Sequence, residues 1–341
     1  MNDTIAVAVS GGVDSLMAAY LLKQQGHNVI GIHFLTGYEF ESINISEITG
    51  QIGIPIKVLN IREVFNTKVV DYFIKTYLNG KTPNPCLVCN PVIKFGVLFE
   101  YARKLGATRI ATGHYARIKK DSTGKFHLLR GIDQGKDQSY FLTFLTREHL
   151  SRACFPLGGM TKSDVKKHAA KNGLHPVTRS ESQDVCFIKG QNYGDFLVRM
   201  VGYTPDTGDI VDRSGTVLGK HPGLHRFTVG QRRGINCPAS EPYYVLRLDT
   251  DRNQLVVGHK DDTLLSECRV DMINWIQPTP QGPVKMHTRV RYRHEAAPST
   301  IVPLEGNKAE VQFERPQAAI TPGQGAVFYA GDEVIGGGII S

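Results

Sequence analysis

The chain has 341 residues, 41% hydrophobic and 21% charged, with six cysteines and a formal net charge of +8; this is globular composition, long enough for two or three ordinary cores. Six unevenly spread cysteines exclude a disulfide scaffold and favour a reduced, cytoplasmic protein, while a sequence pI near 9.1 favours a polyanionic partner. No apolar run is long enough to span a membrane, and Met1-Asn2-Asp3-Thr4 passes into the first strand without a basic flank, so neither a membrane anchor nor a signal peptide is expected.

Ile5-Ala6-Val7-Ala8-Val9 is a short, branched apolar run that predicts a buried parallel strand, and Leu16 to Gln25 has helical spacing with a stop at Gly26. Between them lies Ser10-Gly11-Gly12-Val13-Asp14-Ser15. Two glycines permit a sharp turn and a close approach of bare N–H groups to an anion, and Ser10 and Ser15 add hydroxyls at a positive helix N-terminus. The segment reads as a phosphate cradle. It lacks the Gly-Lys-Ser/Thr ending of a Walker loop and the third glycine of a dinucleotide fingerprint. A ligand-free Gly-Gly turn would account for the glycines but not for Asp14 and the two serines.

Strand-like Asn28 to Phe34 and Ile56 to Leu59 follow, then a long helical stretch through Phe65, Val69, Phe73 and Tyr77, a helix around Phe95 to Leu105, and the strand Arg109 to Thr112. Such alternation predicts an α/β fold with a doubly wound parallel sheet and ligands at the carboxyl ends of its strands. After Tyr203 the text changes to short strands and turns, beginning with Gly208 to Gly219 about an Arg-Ser-Gly turn, and from Val270 it suggests a small antiparallel barrel. Three domains are expected: 1–203 nucleotide-binding, 204–268 central and β-rich, and 269–341 a C-terminal β-barrel.

Thr82-Pro83-Asn84-Pro85-Cys86-Leu87-Val88-Cys89-Asn90 is the second strong signal. Cys86 and Cys89 stand three apart just before a predicted helix, a placement that would lower thiol pKa and favour thiolate. The pair reads as half a zinc site, a redox couple or iron–sulfur ligands, with zinc disfavoured for want of a second C-x-x-C or H-x-x-x-H partner. A third cysteine stands in Ser182-Gln183-Asp184-Val185-Cys186-Phe187-Ile188. Cys154, Cys237 and Cys268 lack motif partners and read as small buried hydrophobes.

The Ser10 loop resembles the pyrophosphate loop of N-type ATP pyrophosphatases, which split ATP between the α and β phosphates. The whole chain resembles the tRNA 2-thiouridylases, which replace the C2 oxygen of the wobble uridine with sulfur. The motifs are Ser10 to Ser15, Thr82 to Asn84 with Cys89-Asn90 and Ile93-Lys94-Phe95, Ala111 to Arg117, Lys136 to Leu142, Ser182 to Ile188, Gly219-Lys220-His221, Gly223-Leu224-His225, Gly230-Gln231-Arg232, Arg291-Tyr292-Arg293 and Thr321-Pro322-Gly323-Gln324.

The resemblance implies that Cys89 is the catalytic nucleophile and Cys186 the sulfur-bearing cysteine. It implies ATP contacts at Ala8, Val9, Ser10, Gly11, Gly12, Val13, Asp14, Ser15, Phe34 and Gly113, with Mg²⁺ offsetting phosphate charge. It places tRNA against Asn84, Pro85, Cys86, His114, Lys136, Asp137, Gln138, Arg291, Tyr292 and Gln324. Two basic stretches, Lys220 to Arg233 and Lys285 to Arg293, would grip RNA around an extruded base. Sulfur would come from a cysteine desulfurase, a sulfur relay protein or inorganic sulfide. Many family members carry Asp where this chain has Cys86. Three thiols suit a [4Fe–4S] cluster on Cys86, Cys89 and Cys186 with one iron open, as proposed for related tRNA thiolases; the rival is a persulfide on Cys186 with Cys86 a bystander. Two other readings share the loop: an ATP pyrophosphatase acting on a small carboxylate or amide, and a non-catalytic RNA-binding protein regulated by nucleotide.

Overall fold

The computed structural model describes residues 3–39, 43–177, 185–188, 192–202 and 204–341. They form two compact units, one of Met1–Val69, Cys86–Phe187 and Ala330–Gly336, the other of Val70–Pro85, Ile188–Tyr329 and Gly337–Ser341.

In the first unit the strands are β1 (Thr4–Ala8), β2 (Asn28–Leu35), β3 (Ile56–Asn60), β4 (Arg109–Ala111), the hairpin β5 (Ala116–Lys120) and β6 (Phe126–Arg130), and β7 (Ala153–Cys154). Five of them make a wholly parallel sheet in the order β3-β2-β1-β4-β7. The chain therefore winds outward from β1 to β3, then reverses to β4 and β7, and the switch point lies between β1 and β4, where α/β proteins open a crevice at the carboxyl ends. β1 is central and buried as its unbroken apolar run requires: Ile5, Val7 and Val9 join one core with Leu16 and Met17 of α1 (Val13–Gln24), Ile48 of α2 (Ile45–Ile52), and Val165 of the helix Lys162–Lys171. Val9 and Ala8 end against the switch point, so the next residues are delivered to it.

The helical text between β3 and β4 is not regular. A short α-turn, Arg62–Phe65, passes through a π-helical turn, Asn66–Val70, into the helix Asp71–Leu78; later, the helix Pro85–Cys89 passes through a π-helical segment, Asn90–Val97, into the helix Leu98–Lys104. Apolar spacing predicts helix in both places but not the wider i→i+5 winding.

In the second unit the helices Asp71–Leu78 and Tyr193–Val201 meet through the rings of Phe73, Tyr77, Tyr193 and Phe196. A four-stranded sheet holds β8 (Gly208–Val211), β9 (Val217–His221), β10 (Tyr244–Asp249) and β11 (Gln254–Gly258) around Ile210, Phe227, Val245 and Leu255. The strands β12 (Leu264–Trp275), β13 (Val284–Arg289), β14 (Ala297–Leu304), β15 (Lys308–Ala318), β16 (Gly325–Ala330) and β17 (Glu333–Ile340) run β12-β15-β14-β13-β16-β17, and β12 pairs with β17. That pairing closes an antiparallel barrel on Val270, Ile301, Val311 and Phe328. Cys154, Cys237 and Cys268 each pack against a different one of the three cores. Among the described residues, no helix is long and apolar enough to cross a membrane.

Candidate active site

The turn after β1 is held by its own side chains. Gly11 has φ +79°, a conformation that only glycine adopts without strain. Ser15 Oγ donates to the Gly12 carbonyl at 2.8 Å and accepts from the Ser10 N–H at 3.2 Å, with Ser10 Oγ 3.3 Å away. The Val177 N–H donates to the Gly11 carbonyl at 2.9 Å, fixing the turn from outside. α1 then starts at Val13 with no side-chain cap hydrogen bond. Its first N–H groups have no partner within the helix, so the motif presents a set of donors suited to an anion.

Asp14 is engaged on both oxygens. Lys162 Nζ lies 2.8 and 2.7 Å from its carboxylate, and Tyr115 Oη donates to Oδ1 at 2.8 Å. The Lys162 side chain is only 12% exposed. It leaves the first residue of the helix Lys162–Lys171, where Thr161 and Asp164 form a capping box that fixes the backbone. Sequence reading missed Lys162; the signal available was Thr161-Lys162-Ser163-Asp164, a capping box that starts a helix but does not say where the lysine points. Gly113 closes the other side: a Cβ there would stand 2.9 Å from the Asp14 carbonyl carbon, so only glycine lets the end of β4 approach α1 this closely. Phe34, half-buried, is the penultimate residue of β2, and the neighbouring His33 places Nδ1 2.9 Å from the Val9 carbonyl.

The cysteine motif differs from expectation. Cys86 and Cys89 both lie within the helix Pro85–Cys89, which continues into Asn90–Val97, so Cys89 does not stand ahead of a helix N-terminus. Cys86 is exposed and Cys89 half-buried, and desolvation by the protein packed around them raises both thiols, Cys89 to about 12. Lys94 acts in the opposite direction on each. The expected thiolate bias is therefore corrected: desolvation outweighs helix polarity. Cys186 is near enough for its charge to raise Cys89 further. Its neighbour Phe187 is buried against Phe65 and Tyr38, at ring separations of 5.7 and 5.9 Å, which anchors Cys186 in the first unit. Ser182, Gln183 and Asp184 lie outside the described residues.

Among the described residues, which include all three motif cysteines, no three His, Cys, Asp or Glu side chains are gathered to hold a metal. The side-chain arrangement therefore gives no support to the expected [4Fe–4S] cluster on Cys86, Cys89 and Cys186. The reading that no H-x-x-x-H partner exists is corrected: His221 and His225 have that spacing. Both belong to the second unit, and His221 bonds the Asn253 carbonyl and the Gly223 N–H.

The residues expected at tRNA are disposed unequally. His114 is buried, with Nδ1 2.6 Å from Thr112 Oγ1 and Nε2 3.4 Å from Lys94 Nζ. Asp137 is buried and accepts from the Gly131 and Ser139 N–H groups, and Gln138 Oε1 accepts from the Tyr115 N–H, so both side chains build the turn after β6. Lys136 is half-buried. In the second unit Gln324 donates to the Thr82 and Pro83 carbonyls at 3.0 and 3.3 Å, beside Asn84. Arg291 donates to the Val229 carbonyl at 2.8 Å and to Thr321 Oγ1, and the Arg289 guanidinium lies 5.3 Å from the Tyr292 ring. The basic stretch around Lys220 is partly compensated from elsewhere in sequence: Lys220 pairs with Asp209 and Arg226 with Asp195.

A parallel sheet whose uncapped glycine turn opens at a switch point, followed by a small β domain and a closed barrel, defines a nucleotide-handling protein of the HUP class. Residues 3–190 match the tRNA methyl transferase HUP domain, 194–259 the tRNA methyl transferase PRC-barrel domain and 265–340 the aminomethyltransferase beta-barrel domain. The tRNA-specific 2-thiouridylase MnmA of Desulfosudis oleivorans is 52% identical over 99% of this chain and 95% of its own. Those of Geobacter metallireducens and Trichormus variabilis are 45% and 44% identical, each over 98% of this chain and over 96% and 98% of their own. The chain belongs to the tRNA-specific 2-thiouridylase family.

Proposed function

We propose that this protein adenylylates the C2 oxygen of a tRNA wobble uridine with ATP and then replaces that oxygen with sulfur. The observation that carries the reading is the coexistence, in one unit, of an uncapped anion-binding turn at the sheet's switch point and a helix cysteine, Cys89, in electrostatic reach of Cys186.

In the first half-reaction the uracil oxygen attacks the α phosphorus and pyrophosphate leaves with the bonding pair. The donors of Ser10 to Ser15 would hold pyrophosphate, Lys162 would exchange Asp14 for phosphate charge, and Mg²⁺ travelling with ATP would neutralise the rest. Phe34 and Gly113 border the adenosine. In the second half, Cys186 carries outer sulfur as a persulfide. The Cys89 thiolate attacks the inner sulfur, the S–S bond breaks, and the pair leaves with the outer sulfur as hydrosulfide, which adds to C2 as AMP departs with the C2–O pair. The product tautomerises to the 2-thione, and an external thiol reduces the Cys89–Cys186 disulfide for the next turnover.

Purified protein given ATP, unmodified tRNA, a donor that loads Cys186 with sulfane sulfur (a cysteine desulfurase with cysteine) and thiol should form AMP, pyrophosphate and 2-thiouridine in equal amounts, and none without tRNA. Tight ATP turnover without tRNA would replace this reading with a small-molecule ATP pyrophosphatase; nucleotide-dependent RNA binding without turnover would replace it with a regulated RNA-binding protein. A cluster on Cys86, Cys89 and Cys186 is the competing sulfur route, favoured by Cys86 standing where many relatives have Asp. Iron and acid-labile sulfide after anaerobic purification decide between them: full activity without iron supports the persulfide route, and loss of activity with iron removes it.

A further inference from the structure

Lys94 is half-buried, and among the described residues it has no carboxylate partner and one hydrogen bond, to His114 Nε2 at 3.4 Å. An ammonium has donors only, so Nε2 must accept. The ring proton then sits on Nδ1 and is donated to Thr112 Oγ1 at 2.6 Å. Burial, and secondarily Lys94, hold His114 well below the usual imidazole range, so the ring is neutral. His114 therefore aims the ammonium without cancelling its charge, and two of the three ammonium donors remain for another ligand.

The backbone supplies the direction. Lys94 stands five residues after Cys89 in the π-helical segment Asn90–Val97. In a plain α-helix a five-residue step would carry it about 140° past the cysteine; the i→i+5 winding brings residues five apart onto one side. Gly96 fits this winding, since a Cβ there would lie 3.0 Å from the Pro91 carbonyl oxygen. Lys94 acts electrostatically on both Cys86 and Cys89. A partly desolvated cation that has no counter-ion among the described residues and acts on two thiols is a site for a small anion.

We propose that Lys94 is a catalytic residue of the sulfur-transfer half-reaction, its ammonium, aimed by His114, holding the hydrosulfide displaced by Cys89 and the negative charge that builds as it adds to C2. This rests on the thiolation reading above. Its ligand is a sulfur anion, not the phosphate held at the Ser10 turn.

Two measurements test it. In single turnover, Lys94→Met should keep tRNA-dependent pyrophosphate release while 2-thiouridine formation falls about 10²-fold, the scale of one lost charge-stabilising donor; Lys94→Arg should recover part of the loss. Wild-type thiolation in Lys94→Met, or an equal fall in pyrophosphate release, overturns the assignment. Absent pyrophosphate release in the unmodified protein would instead sink the thiolation reading. Independently of activity, the ratio of iodoacetate to iodoacetamide labelling at Cys89, read by peptide mass spectrometry at one pH, reports local positive charge because the thiolate fraction cancels. That ratio should fall several-fold in Lys94→Met and hold in Lys94→Arg; an unchanged ratio rejects the anion site even if catalysis is impaired.

Discussion

The pyrophosphate turn and the cysteine helix belong to the same unit but satisfy their polar groups in opposite ways. At the turn, Ser10 and Ser15 bond each other and the backbone, and Asp14 is paired with Lys162 and Tyr115. Beyond the cysteines, Lys94 has among the described residues only a neutral imidazole as hydrogen-bond partner, and burial raises both thiols. A paired site keeps its shape without a ligand, which under the proposed reading would be ATP with its own cation. Beside the cysteines a charge stays uncompensated among the described residues, so under the proposed reading an arriving sulfur anion or a departing proton would change the energy most. The difference suits a sequence of reactions in which activation is prepared first and the reactive sulfur is released only when the activated base is present.

The strongest challenge falls on the sulfur side. Cys89→Ser and Cys186→Ser should each lower 2-thiouridine formation by more than about 10³-fold, as residues acting as one unit do, with tRNA-dependent pyrophosphate release intact. Cys86→Asp should remain active without iron; its inactivity together with lost iron would favour the cluster. On the paired side, Asp14→Ala and Lys162→Met should reduce adenylylation about 10²- to 10³-fold while tRNA binding by filter retention stays unchanged. If Asp14→Asn restores a Lys162→Met variant to full activity, the pair is structural and the lysine never meets phosphate.

What could be read from sequence follows the same division. The Ser10 turn was legible because glycines, serines and a buried strand are adjacent in the chain, and local order fixes their geometry. Asp14 could not be assigned from sequence because its partners, Tyr115 and Lys162, arrive from 101 and 148 residues away. The Cys-x-x-Cys signal was visible, yet its electrostatics came out reversed: helix polarity is a local property, whereas burial depends on everything packed around the helix. The π-helical winding that carries Lys94 has no pattern distinct from an α-helix in a stretch this short. The barrel and the parallel sheet were legible as periodicities, but closure of β12 on β17 and the reversal at β4 are long-range facts.

Gly113 tests how much the paired site depends on close approach. Gly113→Ala puts a methyl against the Asp14 backbone, so stability should fall by about 1–3 kcal/mol from overpacking, seen as a lower Tm. The KM for ATP should rise in the same variant, since the strand end must retreat from the turn. An unchanged Tm with normal KM would mean that the β4 end has room to shift, and that the approach of glycine to α1 is incidental.

The smallest effect is expected at Arg291, in the second unit, where it decides whether an internally bonded side chain can also serve a ligand. One terminal nitrogen of its guanidinium donates to the Val229 carbonyl and to Thr321 Oγ1. Arg291→Ala should therefore cost about 1–2 kcal/mol of stability from two lost hydrogen bonds. If the side chain also neutralises an RNA phosphate, the slope of log K against log salt should flatten by about 0.7–0.9, a change that lost packing does not produce. We expect both losses, because guanidinium donors are five and fan out in a rigid plane, so anchoring through one nitrogen orients the others. Lost stability with an unchanged slope would confine Arg291 to packing, and would show that in this protein bonded polar groups serve ligands only at the pyrophosphate turn.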